Sequence, residues 1–316
     1  MQGNMTVVTH FILLGFGELH GMQMLLFMLF LILYIFTMMA NFLTVLLILV
    51  DHRLYTPMYF FLGNLSCLEM MYSSTILPKM LDSFLTGEKY ISFKGCITQF
   101  YFFASLGSTE CYLLSVMAYD RFLAICKPLH YATAMRITRC IQLAAVSWIN
   151  GMVFTSVYLI FMLQLWFCGP NEIDHFFCES LPLIKLSCSD TTLAKYTIAI
   201  LAYTFTFPPF ILTFMSYIFI LRTILRIPSR IGRQKAFSTC SSHLIVVSFF
   251  YGAITAVYLM PETEEMKNYT KFFSLLYTVF PSLLNPLIYT LRNKDVKEAL
   301  KKLFGRFWKN RFLPCI

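Results

Sequence analysis

Residues 24–50 read MLLFMLFLILYIFTMMANFLTVLLILV, an unbroken run without one charged side chain. A membrane-crossing helix needs about 20 mostly apolar residues, because the hydrocarbon interior offers no water to an exposed backbone amide or carbonyl. The run meets that length. Working outward along the chain, six more of similar character follow at 58–80, 97–120, 140–166, 196–221, 238–260 and 270–291. Across 316 residues the sequence is 58% hydrophobic and 13% charged, where a soluble domain would carry roughly 25% charged residues. The expected fold is all-α, a seven-transmembrane helix bundle forming one domain over 1–316. Residues 1–23 form a tail, 24–291 the bundle, and 292–316 a second tail.

Charge sets the expected orientation. Short loops rich in Lys and Arg stay cytoplasmic. Arg53 follows the first run; Arg121, Lys127, Arg136 and Arg139 surround the end of the third; Arg222, Arg226, Arg230, Arg233 and Lys235 follow the fifth. With the C-terminal cluster from Arg292 to Arg311, one face holds 18 of the 25 basic residues. The N-terminus is therefore expected outside and the C-terminus inside, in the plasma membrane. Two glycosylation sequons agree, at Asn4 in the tail and Asn268 before the last run. The net +9 reads as orientation and attraction to anionic membrane lipid, and gives no support for nucleic-acid binding. The first run is too long for a cleavable signal peptide and lacks a basic flank, so it is expected to direct insertion itself.

The longest connection, about 30 residues between the fourth and fifth runs, holds Cys168, Cys178 and Cys188, and Cys96 opens the third run. On an oxidising face four thiols make two bridges, in any of three pairings. The other six cysteines read as small apolar residues in or beneath the membrane. His175 and Glu179 lie in the same connection and are expected to shape it; no further ligand at metal spacing accompanies them. Beyond the bundle, Val296, Leu300, Leu303, Phe304 and Phe307 form one stripe at helical spacing while Lys294, Lys297, Lys301 and Arg306 face elsewhere. That is a short amphipathic helix lying on a membrane surface, and Cys315 behind it is a candidate for acylation.

Ionisable groups at membrane depth are default functional candidates. Glu69 and Glu110 are the two carboxylates expected well inside. Two readings stay open: protonated groups hydrogen-bonded to Asn41, Ser115 or Asn285, or oxygen ligands sharing a sodium ion. Two carboxylates exceed what a structural hydrogen bond requires, which tilts the balance to sodium. No other cofactor is expected. Met117 to Cys126, MAYDRFLAIC, closes the third run with adjacent acid and base, Asp120 and Arg121, at the boundary.

That string closely resembles the end of the third helix in the vertebrate olfactory receptors, a branch of the rhodopsin-like G-protein-coupled receptors. Further stretches are similar to the same family: Leu54–Leu62 (LYTPMYFFL), Ser216-Tyr217, Lys235–Leu244 (KAFSTCSSHL) and Pro281–Tyr289 (PSLLNPLIY). The resemblance covers nearly the whole chain, and the connection from Cys168 to Cys178 is similar to the class II receptors. Glu69 departs from the more common Asp, and Ala40-Asn41 from Gly-Asn.

The resemblance implies bridges Cys96–Cys178 and Cys168–Cys188. It implies a ligand site built from Phe103, Ala104, Gly107 and Ser108, from Ala202 and Phe205, from Tyr251, Ile254, Thr255 and Tyr258, and from Thr278. It implies a switch in which an agonist lets the inner end of the sixth helix move out. Pro286 and Asn285 make the seventh helix bendable, and Tyr217 and Tyr289 line up beside Arg121 as a helix of a stimulatory G protein enters and cyclic AMP rises. A lining of aromatic, aliphatic and hydroxyl groups suits a compact, mostly apolar ligand, and the resemblance implies a small, neutral, volatile odorant sensed at the cilia of olfactory neurons. No enzyme motif is present: no phosphate-cradling glycine loop, no HExxH pair and no nucleophile elbow. A transporter would need repeated halves with broken helices, and only Glu69 and Glu110 point that way.

Overall fold

The computed structural model describes residues 8–17, 21–259, 264–292 and 296–303. Six long helices and one pair of shorter ones make seven crossings: α1 (Gln23–Val50), α2 (Pro57–Thr86), α3 (Phe93–Cys126), α5 (Ile137–Met162), α7 (Thr192–Leu225), α8 (Arg230–Leu259), and α9 (Glu264–Thr278) with α10 (Phe280–Arg292). Short helices α4 (Pro128–Ala134) and α6 (Ser180–Lys185) lie in the connections at opposite ends. Most helices run a turn or two past the apolar stretches, since backbone bonds propagate beyond the point where hydropathy drops. Pro57 opens α2 at a position whose missing N–H costs nothing, and Gly87 ends it with φ +76°, left-handed backbone that glycine adopts without strain. The Ser92 hydroxyl caps α3 by accepting from Gly95 N–H.

Five spans are apolar enough to cross a membrane by composition alone, on α1, α5, α7, α8 and across α9–α10. Helices α2 and α3 are as long but carry more buried polar groups: Ser66, Glu69 and Ser73 on one, Gln99, Thr109, Glu110, Ser115, Asp120 and Arg121 on the other. Both sit inside the bundle, where polar side chains meet protein. The lipid-facing residues are those left exposed, such as Leu25, Ile32, Met39 and Phe42 on α1 and Tyr196, Ile200 and Tyr203 on α7.

The central helix is α3, which packs against α2, α5 and α7. Its close approach to α5 depends on Gly151: a Cβ there would stand 2.2 Å from Thr109 Oγ1, 2.6 Å from the Ser105 carbonyl oxygen and 2.9 Å from Thr109 N.

Two features differ from the sequence-based expectation. The seventh crossing is two helices, not one continuous run. Pro281 has no N–H to give the Tyr277 carbonyl, so the ladder loses a rung at the α9–α10 junction around Val279, about two turns before the expected bend at Pro286, while Val279 N–H to the Leu275 carbonyl and Leu283 N–H to the Val279 carbonyl remain. The all-α bundle also carries a three-stranded sheet at one end, in the order β2 (Tyr90–Ser92), β1 (His10–Leu13), β3 (Glu172–Ile173). Strand β1 pairs antiparallel with β2 and parallel with β3. These strands are two to four residues long, too short for a periodicity to announce them.

Both disulfides stand at the sheet end. Cys96 on α3 is bonded to Cys178, and Cys168 to Cys188. The first pins the long connection onto the bundle, and Cys96 and Cys178 are fully buried. Replacing either by Ser is expected to cut surface delivery sharply, since losing such a bridge costs roughly 2 to 5 kcal/mol in disulfide-dependent domains. Surface biotinylation of the variants checks it.

At the other, basic end, residues 296–303 form a helix whose Val296 and Ala299 are buried while Lys297 and Glu298 are exposed. Leu300 and Leu303 pack on the core as the stripe requires. Phe304, Phe307, Cys315 and the sequon at Asn4 lie outside the described residues, as does the Asn268 side chain.

Candidate functional site

The disulfide end holds a cluster of aromatic rings, the walls of a candidate chamber. Phe103 of α3 stands 4.5 Å, ring to ring, from Phe177, 5.3 Å from Tyr72 of α2 and 6.2 Å from Tyr277 of α9. Phe177 is there because the next residue is Cys178, tied to α3, and because Cys178 N–H donates to Gln99 Oε1 at 3.0 Å. Gly107 lies one turn deeper, its Cβ position 3.7 Å from the Tyr72 ring. Ala104 and Ser108 are half-buried beside it. Tyr251 of α8 is buried edge-on to Phe210, and its hydroxyl and the Thr213 hydroxyl are both buried without a completed hydrogen bond. Ile254 bridges two core clusters. Thr278 is buried, with its hydroxyl turned to the Ser274 carbonyl at 2.7 Å.

Other expected residues stand apart from this group. The Phe205 ring packs on Phe154 of α5 at 5.1 Å, and Thr255 is exposed. The side chains of Ala202 and Tyr258 lie outside the described residues. A cavity of about 40 Å³ opens between residues 13–17 and α2, lined by Phe16, Met80, Phe84, Lys89 and Phe176, and none of the expected ligand residues lines it. The rings of Phe103, Phe177 and Tyr277, tilted against one another, do not line it. Sequence reading missed Tyr72, Phe177 and Tyr277, although the position of Phe177 beside a bridged cysteine was a usable signal.

The connection above the chamber carries buried ionisable groups. Burial lowers the His175 imidazole to about 3 and raises the Glu179 carboxyl to about 7. Tyr277 O–H donates to Glu179 Oε1 at 3.1 Å, and His175 Nε2 lies 3.4 Å from Oε2. This agrees with the expectation that His175 and Glu179 shape the loop.

Deeper, Asn285 Nδ2 of α10 donates to Glu69 Oε1 at 2.5 Å, and Asn41 Nδ2 of α1 donates to the Thr37 and Ser282 carbonyls at 3.0 Å each. Ser115 turns away, donating to the Tyr112 carbonyl. Glu110 is 1% exposed, stands within Coulombic reach of Glu69, and has neither oxygen hydrogen-bonded. Glu69 Oε2, Asn285 Oδ1 and Asn41 Oδ1 are likewise buried without a partner. Orphaned carboxylate and amide oxygens are the donor set a hard monovalent cation takes, so these residues fit sodium. Among the described residues no cluster of three or more His, Cys, Asp or Glu is arranged for a metal ion.

At the basic end Arg121 binds Asp120 through its Nε and Nη2 groups. Tyr131 of α4 donates to the other oxygen, Oδ1, at 2.8 Å, and burial beside Asp120 raises its phenol well above the ordinary range. Tyr217 of α7 hydrogen-bonds His243 Nδ1 of α8 at 2.5 Å; both are buried. His243 was part of the quoted 235–244 string without a role assigned to it. Asn285 and Pro286 are buried in α10, while the Tyr289 side chain lies outside the described residues.

The sequence profile of the olfactory receptor family matches residues 30–306. Human olfactory receptor 10A7 is 51% identical over 301 residues, covering 95% of each chain. Mouse olfactory receptor 5AR1 is 46% identical over 303 residues, 96% of this chain and 98% of its own. In structure, squid rhodopsin superimposes with a TM-score of 0.68 at 14% identity, covering 88% of this chain and 83% of that one. At that identity the likeness speaks for the fold alone.

Proposed function

Because the chain belongs to the olfactory receptor family, a group of non-enzymatic, multi-pass membrane receptors, we propose that it binds small neutral volatile odorants in the outer half of the bundle and activates a stimulatory heterotrimeric G protein. The observation that carries this reading is the aromatic chamber of Phe103, Tyr72, Phe177 and Tyr277 beneath a loop held by a disulfide. Its walls offer apolar area at about 25 cal/mol per Å². The four rings carry no charge, and the ionisable group that touches them, Glu179 on Tyr277, has its carboxyl raised to about 7 by burial. A charged ligand would lose its hydration without a counter-charge, at a cost of several kcal/mol or more.

An agonist that wedges between Phe103 and Tyr277 acts on two helices at once, α3 and the broken seventh crossing. Displacing α9 against α10 at the Val279 break disturbs Asn285 and its bond to Glu69, and releases whatever the unsatisfied oxygens of Glu69 and Glu110 hold. A sodium ion there would hold α2, α3 and α10 together in the resting receptor. At the basic end the Tyr217–His243 bond must open for α8 to move away from α7. Tyr217 then turns to Arg121, and Arg121 leaves Asp120, which Tyr131 still holds. The basic rim from Arg222 to Lys235 receives the G protein. The N-terminus lies outside and the C-terminus inside, as the basic loops require, and the receptor works at the ciliary membrane of olfactory neurons.

The test is cyclic AMP output in cells supplied with the olfactory stimulatory G protein and exposed to an odorant panel. Neutral alcohols, aldehydes, ketones and esters are expected to activate, with carboxylates and quaternary amines inactive. Tyr258→Phe, at a ligand position the family resemblance implies, is expected to weaken oxygenated agonists about fivefold, one hydrogen bond of roughly 1 kcal/mol, and to spare hydrocarbon-like ones. A permanently charged strongest agonist, or equal losses for both classes in the variant, overturns the chamber as described.

A further inference from the structure

The connection between α5 and α7 is fastened to the seventh crossing at two points. The outer one is Lys271 of α9, whose Nζ meets Asp174 Oδ1 at 2.5 Å and the Gly15 carbonyl at 3.0 Å. The inner one is Glu179, with Tyr277 O–H of α9 on Oε1 and His175 on Oε2. The N-terminal segment hangs from the same connection, Leu14 N–H on the Ile173 carbonyl and Gly15 N–H on that of His175. The two fastenings differ in kind. Lys271–Asp174 is a complete ion pair, with the Asp174 side chain 44% exposed. Glu179 is 3% exposed and has no cation: His175 is kept neutral by burial, and Lys271 is committed to Asp174. From α5 the facing group is the neutral phenol of Tyr158, adjacent to Ser180.

A buried carboxylate without a counter-charge is costly, whereas a buried carboxyl group is not. With the proton on Glu179, Oε1 accepts from Tyr277, and Oε2 stands 3.4 Å from His175 Nε2, a buried nitrogen without a hydrogen-bond partner that could accept the acid O–H, so the group is buried with no net charge. We propose that Glu179 is a positioning residue that docks this loop as a lid on the seventh crossing, beside the disulfide that fixes Phe177 over Phe103, and that its protonated form is the docked one. The effect on odorant affinity rests on the proposed ligand chamber; the docking itself does not.

The pH dependence follows from linkage. The docked carboxyl titrates at about 7 against an ordinary 4.5. Between those values the docked lid keeps a proton that an undocked lid would release, so docking is strongest at low pH and weakens until pH passes 7. From pH 6 to pH 8 the docking equilibrium is expected to fall about tenfold.

The experiment is hydrogen–deuterium exchange on the full-length receptor in lipid nanodiscs at pH 6 and pH 8, without odorant, with exchange at 172–186 corrected for the intrinsic pH effect. Wild type should show about tenfold greater protection at pH 6. Glu179→Gln, neutral at every pH and still able to accept from Tyr277, should keep the acid-level protection at pH 8. Tyr277→Phe should lower protection at both values and leave the pH ratio in place. A flat wild-type profile overturns the proposal without any variant. So does a tenfold ratio that persists in Glu179→Gln, or loss of lid protection in that variant at both values while the bundle stays protected. A chain that answers no odorant but shows the expected profile would count against the ligand reading alone.

Discussion

Gly151→Ala is expected to remove most of the folded protein from the membrane, since among the described glycines an added methyl meets its closest contacts there. The added Cβ would lie 2.2 Å from Thr109 Oγ1, and the hydroxyl has nowhere to turn while it donates to the Ser105 carbonyl at 2.8 Å. Two of the three close atoms are backbone of α3, at 2.6 and 2.9 Å, so relief requires α5 to back away from the central helix. Overpacking of this kind costs about 1–3 kcal/mol, or more where backbone must shift. The measurement is surface delivery together with thermal unfolding of the detergent-solubilised receptor. Thr109→Ala in the same chain should restore only part of the loss, because the Ser105 carbonyl remains in place. Wild-type delivery by Gly151→Ala would mean that α3 and α5 are not in such close contact.

Arg121→Ala is expected to abolish G-protein activation while surface delivery stays near normal. The side chain is 9% exposed at the basic end, and its described partner is the neighbouring Asp120. Removing it leaves Asp120 bonded to Tyr131, so the end of α3 keeps its anchor to α4. What is lost is the cation that the opened cleft needs. Surface biotinylation and cyclic AMP output on the same cells separate the two effects, and full signalling by the variant would remove Arg121 from the mechanism.

The bundle was legible because lipid imposes a coarse rule: about 20 apolar residues per crossing. Residues 24–50 announce α1 within one residue of its start. The break at Val279 was less legible, because Pro281 and Pro286 are equivalent as sequence and only packing decides where the ladder opens. The residues proposed as the switch could be picked out as strings, since Asp120-Arg121 and Asn285-Pro286 carry their chemistry in adjacent positions. The Tyr217–His243 bond joins residues on two helices and has no signature in either. The same limit hid the partner of Glu179: the sequence expected it to shape its loop, but not that the fold buries it against Tyr277, nearly 100 positions away. Phe205 shows the converse: a ligand position carried over by resemblance, whose ring rests on α5.

The placement of β1 has a consequence for how the protein is made. This strand, near the start of the chain, pairs in parallel with residues 172–173, roughly 160 positions later, and takes a further bond from its Ile12 N–H to the Asn171 carbonyl. Synthesis at about 5–20 residues per second therefore leaves its second edge unpaired for some ten to thirty seconds, while α1 to α5 are already in the bilayer. An extended, half-apolar segment with open amides is a template for wrong pairing. Each nascent molecule thus passes through an interval in which one edge of its first strand is open, and closes it only when the connection after α5 has emerged.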